Sequence, residues 1–482
     1  MEKRKKFYVT TAIDYVNAEP HIGHAYQKII ADILARWHKI REYDVFFLTG
    51  TDEHGQKIAK TASESGMSPK EFVDEYSEKF KEAWKILNII PNRFIRTTDK
   101  DHEEKTQEFI KLMYKKGDIY KGVYSGLYCT GCEAYLTEKD LVNEKCKYHP
   151  NLELKQLKEE AYFFRLSKYQ KKLLELYEKN QRYIMPKFRR NEIINRVKEG
   201  LNDLNITRTK FDWGIPFPLE KGYVVYVWYD ALLNYITGID WPNEKFKKFW
   251  PADVEILGID NGWFHCVIWP AMLMSLGIEP PKTILINGFL TFNGQKISKS
   301  LGNVISPKVL VEKYGSDSIR YFVSRNFVFG QDGDFSEQTL IERHNKELAN
   351  KFGNLVSRVT TLAEKYGIEK TENKLLKKLK IKEIEKLFSN YEFDKCLNEI
   401  FAFIDECNEY VQEKKVWETK DKKVLYELLE SIRTITIFLW PFVPNSCEKI
   451  SENLNFKIDY KEIKKPLNLK NIKKIEALFK KL

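Results

Sequence analysis

Two imidazoles stand three residues apart in His21-Ile22-Gly23-His24, where an apolar run gives way to helical period. On one helical turn both rings can donate to a single phosphate group, and Gly23 leaves room for a flat ring to approach the backbone. A pair of histidines that merely caps a helix satisfies the same spacing. Asp52 follows the apolar run Tyr43 to Gly50. A carboxylate at the C-terminal edge of a buried strand is a counter-ion for a substrate amino group, or else a cap for the helix beginning near Gln56. Cys129-Thr130-Gly131-Cys132 and Cys146-Lys147-Tyr148-His149 each offer two soft ligands three positions apart, with thirteen residues between the pairs. That is the spacing of a Cys3His zinc knuckle; with all four positions filled by protein, one Zn2+ per chain is structural rather than catalytic. Far downstream, Lys296-Ile297-Ser298-Lys299-Ser300 follows a hairpin signal at Asn293-Gly294 and reads on its own as a solvated basic loop.

The elements that must hold these groups are legible as patterns. Phe7 to Ile13 is a strand, and Tyr26 to Trp37 is a helix with Ile29, Ile30, Ile33, Leu34 and Trp37 on one face. Strand, loop and helix in that order are half of a nucleotide-binding βαβ unit, whose helix N-terminus faces the crevice where phosphates bind. The continuous apolar runs Tyr43 to Gly50, Tyr223 to Trp228 and Val254 to Leu257 predict further parallel strands buried on both faces. Helices follow near Trp228 and Trp263. After Pro307 the chain is expected to be almost wholly helical, with Asn350, Asn354 and Arg358 on one polar face of a helix Leu348 to Thr361. A last amphipathic helix carries Ile472, Ile475, Leu478, Phe479 and Leu482.

The two signatures His21-Ile22-Gly23-His24 and Lys296-Ile297-Ser298-Lys299-Ser300, taken as a pair, resemble those of class I aminoacyl-tRNA synthetases. The stretch Leu48 to Gly55 and the single knuckle resemble the methionyl-tRNA synthetases among them. The resemblance spans essentially the whole chain and implies an α/β fold: a Rossmann-like parallel sheet (1–116 and 223–290) split by a zinc-bearing connective insertion (117–222). A stem-contact module with the basic loop (291–345) and an α-helical anticodon-binding bundle (346–482) follow. It implies ATP-dependent activation of L-methionine to methionyl-adenylate, then transfer to the terminal adenosine of tRNA(Met) for initiation and elongation. His21, His24, Lys296 and Lys299 are the expected catalytic residues, and Gly23, Gly258, Asp260 and Ser298 join them around ATP and its Mg2+. Ala12, Ile13, Asp52, Trp228, Ala231, Tyr235, Asn261 and His265 are expected around methionine, although each aromatic among them also suits plain core packing. Asn354, Arg358 and Trp417 are expected at the CAU anticodon, Trp417 stacking on a base or packing between helices. Ile259, Asn261 and Asp14 depart from the family's usual Lys, aliphatic, and aromatic or Pro.

Composition limits the alternatives. At 482 residues and 43% hydrophobic content the chain holds about three domains, and 80 Lys plus Arg against 69 Asp plus Glu leave +11, compatible with a polyanion. No cleavage-type leader and no run of about eighteen apolar residues occur, so a cytoplasmic protein without a membrane partner is expected. Cys266, Cys396, Cys407 and Cys447 read as buried free thiols. Isoleucyl, valyl and leucyl relatives carry a much longer insertion, a small nucleotidylyltransferase has no use for the helical third, and a non-catalytic tRNA binder has little reason to keep both signatures. Nothing follows the last helix, where many relatives carry a dimerisation domain, so a monomer is expected; a separate tRNA-binding protein in trans would fit the same layout.

Overall fold

The computed structural model describes residues 4–132, 134–136, 140–209, 211–292, 294–296, 305–468 and 472–482. Its central feature is a seven-stranded parallel sheet. The strands are β1 (Lys6–Thr11), β2 (Asp14–Tyr15), β3 (Asp44–Asp52), β4 (Arg93–Arg96), β5 (Ile184–Met185), β6 (Val254–Gly258) and β7 (Ile284–Asn287). They run in the order β5-β7-β6-β1-β3-β2, with β4 also on β3. Alternation sorts the side chains: Val9 and Phe47 pack under helix α1 (Ile22–Ile40), while Tyr8, Phe46 and Leu48 enter a second core on the other face. All five apolar residues on the expected face of α1 are buried.

Between β4 and β5 the chain leaves the sheet. Ile119–Cys129 and Lys155–Phe164 pair antiparallel from Ile119 opposite Phe164 to Tyr128 opposite Lys155, so this ribbon carries Cys129 at its far end. Helix α2 (Lys100–Lys115) precedes it, and the short helices α3 (Val227–Ala231) and α4 (Asn234–Thr237) follow it. The expected hairpin is present: Leu290–Phe292 pairs antiparallel with Gln295–Lys296 and parallel with Gly333–Phe335.

Three expectations are corrected. In Tyr223 to Trp228 only Val224–Val225 is strand, and it pairs antiparallel with Thr207–Arg208 outside the central sheet. A short apolar run reports burial, not sheet membership; these residues are buried where the insertion rejoins the sheet's second core. The helix through Asn354 begins earlier and wider, as a π-helix His344–Gly353 continuing into Asn354–Tyr366. The C-terminal segment is docked but not helical. Ile475 N–H donates to Thr360 Oγ1 at 3.1 Å, His344 Nε2 meets Lys480 O at 2.8 Å, and Asn345 exchanges two hydrogen bonds with the backbone of Leu482. Those side chains satisfy backbone groups that a helix would satisfy internally, while Ile475 and Phe479 remain buried.

From Pro307 to Asn453 the chain is otherwise mostly helical, and it is tied to the sheet by buried contacts. Trp37 of α1 stacks on Phe388 at 4.0 Å, and Arg320 donates to Asp32 Oδ2 at 2.6 Å and to Pro441 O at 2.7 Å.

Candidate active site and metal centre

At the C-terminal edge of the sheet, strand pairing slips by one residue. Thr10 lies opposite Leu48 and Asp14 opposite Thr51, so four steps on one side face three on the other. The extra residue is a bulge at Ala12–Ile13, the device that turns a strand end toward a site. Lys28 of α1 holds this bulge: its buried ammonium donates to Ala12 O at 3.0 Å and pairs with Asp14. Burial outweighs that pairing and raises the Asp14 carboxyl to about 6.

The histidines form a reciprocal cap. His21 is the N-cap of α1; its Nδ1 accepts from Gly23 N–H at 3.1 Å, and His24 Nδ1 accepts from His21 N–H at 3.2 Å. The capping reading of the pair is therefore met by the Nδ1 atoms, and a ring whose Nδ1 accepts carries its proton on Nε2. Burial, with His21 and Lys28 adding, holds His24 well below the usual imidazole range, so it is neutral. Gly23 has a more local reason than the one expected: a Cβ there would lie 2.9 Å from the His21 ring.

Asp52 is buried at the end of β3. The following helix, Gln56–Glu64, has Gly55 as its N-cap residue and no side-chain acceptor at that position, so Asp52 is not the N-cap. Ala12, Ile13, Asp52, Trp228, Ala231, Tyr235, Asn261 and His265 line one cavity of about 610 Å³, and His24 and Asp260 line it too. Trp228 stacks on Phe264 at 4.0 Å. His265 Nδ1–H donates to Asn261 O at 3.0 Å, so its Nε2 accepts the Tyr235 hydroxyl at 2.6 Å. Burial lowers His265 to about 4. In this chain of bonds the His265 proton is used on Asn261 O and the Tyr235 proton on His265 Nε2, so as placed neither group has a proton left to donate to a thioether.

Gly258 ends β6, and Asp260 follows in the turn Ile259–Asn261. Lys296 stands in the hairpin strand, whereas Ser298 and Lys299 lie outside the described residues.

Cys129, Cys132, Cys146 and His149 converge. Their ligand atoms all lie within 4.8 Å of one another, with Cys132 Sγ 3.4 Å from Cys146 Sγ and 3.2 Å from His149 Nδ1, and Cys129 Sγ 3.8 Å from His149 Nδ1. A tetrahedron with metal–sulfur bonds of about 2.3 Å has edges of about 3.8 Å, so the set fits a zinc ion. Gly131 is required, since a Cβ there would come within 2.5 Å of the His149 ring. The other four cysteines are buried and free, as expected.

With this geometry established, comparison with known proteins is decisive. The family model described as "tRNA synthetases class I (M)" matches residues 7–153 and 138–360, and "Anticodon-binding domain of tRNA ligase" matches 372–480. The chain belongs to the class I tRNA synthetases of the methionine group. The methionine–tRNA ligase of Thermotoga maritima is 44% identical over 94% of this chain and 75% of its own. That of Rickettsia conorii is 42% identical over 93% of this chain and 92% of its own. The structure of Mycobacterium tuberculosis methionyl-tRNA synthetase in complex with methionyl-adenylate superposes with a TM-score of 0.93 at 37% identity, covering 98% of this chain and 99% of that one.

In this synthetase chain the third candidate site lies among the helices. Asn354 and Arg358 border a surface depression with Asn350, Asp405, Asn408 and Gln412. The Arg358 guanidinium sits 4.7 Å from the centre of the half-buried Trp417 ring, so one face of Trp417 is already covered by a cation. Sequence reasoning missed Gln27, Lys57 and Tyr148, which also line the cavity around Asp52, and the clamp made by Lys28. Gln27 and Lys28 follow His24 at helical spacing and could have been found that way; Lys57 and Tyr148 reach the cavity only through tertiary folding. No helix among the described residues is long and apolar enough to cross a membrane.

Proposed function

We infer that this chain is a methionine–tRNA ligase, converting L-methionine and ATP to methionyl-adenylate and transferring the methionyl group to the terminal adenosine of tRNA(Met). The observation that carries the reading is the single cavity in which Asp52, the Trp228–Tyr235–His265 wall, Asp260 and His24 meet at the strand ends of the sheet. Asp52 takes the methionine ammonium in a charge-assisted contact, and the aromatic wall with Ala12, Ile13, Ala231 and Asn261 encloses the side chain; a thioether packs well against aromatic faces. Gly258 and Asp260 hold the adenosine.

In the first step a methionine carboxylate oxygen bonds to the α-phosphorus of ATP, the bond to the β-phosphate oxygen breaks, and pyrophosphate leaves. In the second, the 2′-hydroxyl of the terminal adenosine takes the acyl group and AMP leaves. No protein nucleophile is needed. The chain supplies position and charge: Nε2–H of His21 and His24, the N-terminus of α1, and Lys296, Ser298 and Lys299 against the phosphates, with Mg2+ arriving on ATP. Removing one such donor costs about 10²–10³ in rate. The zinc held by Cys129, Cys132, Cys146 and His149 is structural, with every ligand position taken. Asn354, Arg358 and Trp417 meet the CAU anticodon, and charging takes place in the cytoplasm, with or without a tRNA-binding protein in trans.

The test is an amino-acid panel in ATP–pyrophosphate exchange without tRNA. Exchange that depends on methionine, followed by charging of tRNA(Met), is the expected result; exchange driven by another amino acid, or none, rejects the reading.

A further inference from the structure

Beneath the cavity lies a buried polar chain that the reaction above does not use. His54 Nδ1 is 2.7 Å from Asp230 Oδ2, His102 Nε2 is 2.7 Å from Asp230 Oδ1, and His102 Nδ1 is 2.7 Å from Thr237 Oγ1. All four residues are buried, none more than 3% exposed. A carboxylate only accepts, so His54 Nδ1 and His102 Nε2 both carry protons, and the third bond joins His102 Nδ1 to the Thr237 hydroxyl. Asp230 stays ionised because His54 and His102 outweigh the cost of burying its charge.

What this chain connects gives it meaning. His54 lies two residues beyond Asp52, in the turn that ends β3. Asp230 lies in α3 between Trp228 and Ala231, and Thr237 closes α4 two residues past Tyr235; all three neighbours line the cavity. The turn is braced from its other side by Trp213 Nε1–H, which donates to Glu53 O at 2.7 Å. His102 comes from α2, outside both units it joins. The turn that follows Asp52 and the two short helices that carry Trp228, Ala231 and Tyr235 are therefore tied by one short bridge of buried, charge-assisted hydrogen bonds, the kind that deform least.

We propose that His54, Asp230 and His102 are positioning residues that fix the distance between the ammonium anchor at Asp52 and the wall formed by Trp228, Ala231 and Tyr235, and so select the length of the bound amino acid. The proposal rests on the methionine reading of the cavity. A site must hold its groups within about 0.5 Å to keep such geometry, and one methylene in an apolar pocket is worth about 10- to 200-fold in discrimination.

The experiment compares unmodified protein with His102→Leu, which leaves Asp230 one partner, and His102→Gln, which restores an amide donor. Pyrophosphate exchange is measured with methionine, with S-methylcysteine, one methylene shorter, and with ethionine, one methylene longer. In His102→Leu the KM for methionine rises about tenfold, the kcat/KM preference for methionine over both neighbours falls about tenfold, and the KM for ATP changes less than about twofold. His102→Gln recovers most of the preference, which a purely structural loss would not. If His102→Leu does not fold, Thr237→Val, which removes only the outer hydroxyl, shows the same loss of preference at about threefold. Unchanged preference in the folded variant overturns the proposal, as does a joint rise in both KM values. Absence of methionine-dependent exchange in the unmodified protein rejects the functional reading and the proposal with it.

Discussion

Single residues in the cavity are defined by where their protons sit. His265 gives its Nδ1 proton to Asn261 O and receives one from Tyr235, and burial brings it from 6.5 to about 4. Between those values the unfolded chain binds a proton that the folded chain refuses. The stabilisation is complete above pH 6.5 and is lost as pH falls toward 4, at up to about 1.4 kcal/mol per pH unit. His38, also lowered to about 4 by burial, adds to the same window. The raised carboxyls of Asp14 and Glu255, at about 6 and about 8, oppose this slope equally in both proteins, so the test is the difference: in urea unfolding between pH 4.5 and 6.5, His265→Gln is expected to make the change of stability with pH less positive by that amount. An identical slope in the variant contradicts the buried neutral assignment.

Among elements, the turns proposed to hold zinc and the basic loop make the sharpest predictions. Protein purified without chelator should hold one zinc per chain, and Cys146→Ser should lose it together with proteolytic resistance of the 117–222 segment, because a small charged insertion gains its fold from the metal. Metal analysis and limited proteolysis check both. Lys299→Ala should slow adenylate formation by about 10²–10³ while methionine binding measured without ATP stays unchanged, since the loop is proposed to act on phosphates alone. These elements also mark what could be read from sequence. The knuckle spacing, the strand before His21 and the periodic face of α1 are local, so they were visible in the residue order. Tyr223 to Trp228 misled because burial by the insertion and burial within a sheet leave the same apolar signature. The segment after Ile472 kept a helical spacing of apolar residues, yet partners on Asn345, His344 and Thr360 satisfied its backbone from more than a hundred positions away. The Asp230 network was invisible for the same reason: its partners come from α2 and from the turn after β3.

On the scale of the molecule, the two ends of the proposed reaction are far apart in sequence but mechanically joined. Arg320, fully buried, spans Asp32 of α1 and the carbonyls of Pro441 and Phe442, and Trp37 stacks on Phe388. Mutations should nonetheless sort by step. Trp417→Ala should weaken tRNA charging by about 1–3 kcal/mol, the worth of a stacked base, and leave tRNA-independent pyrophosphate exchange intact. Asp52→Ala should damage exchange and charging together, because the ammonium contact precedes both. If Trp417→Ala abolishes exchange in a folded protein, Trp417 and its Arg358 partner belong to the structural core and the anticodon assignment falls.

One wall of the proposed catalytic cavity comes from the two cysteine-bearing turns: Gly131, Cys132, Tyr148 and His149 line it beside Asp52 and Trp228. This has a pharmacological consequence. An inhibitor that extends from the proposed amino-acid pocket onto that wall would press against residues with little mutational freedom, because two belong to the converging Cys3His set proposed to hold zinc and Gly131 has no room for a single added carbon beside the His149 ring. On that wall Tyr148, 69% exposed and not one of the four converging side chains, is the position left free to change, and substitution there is the first route to resistance to look for.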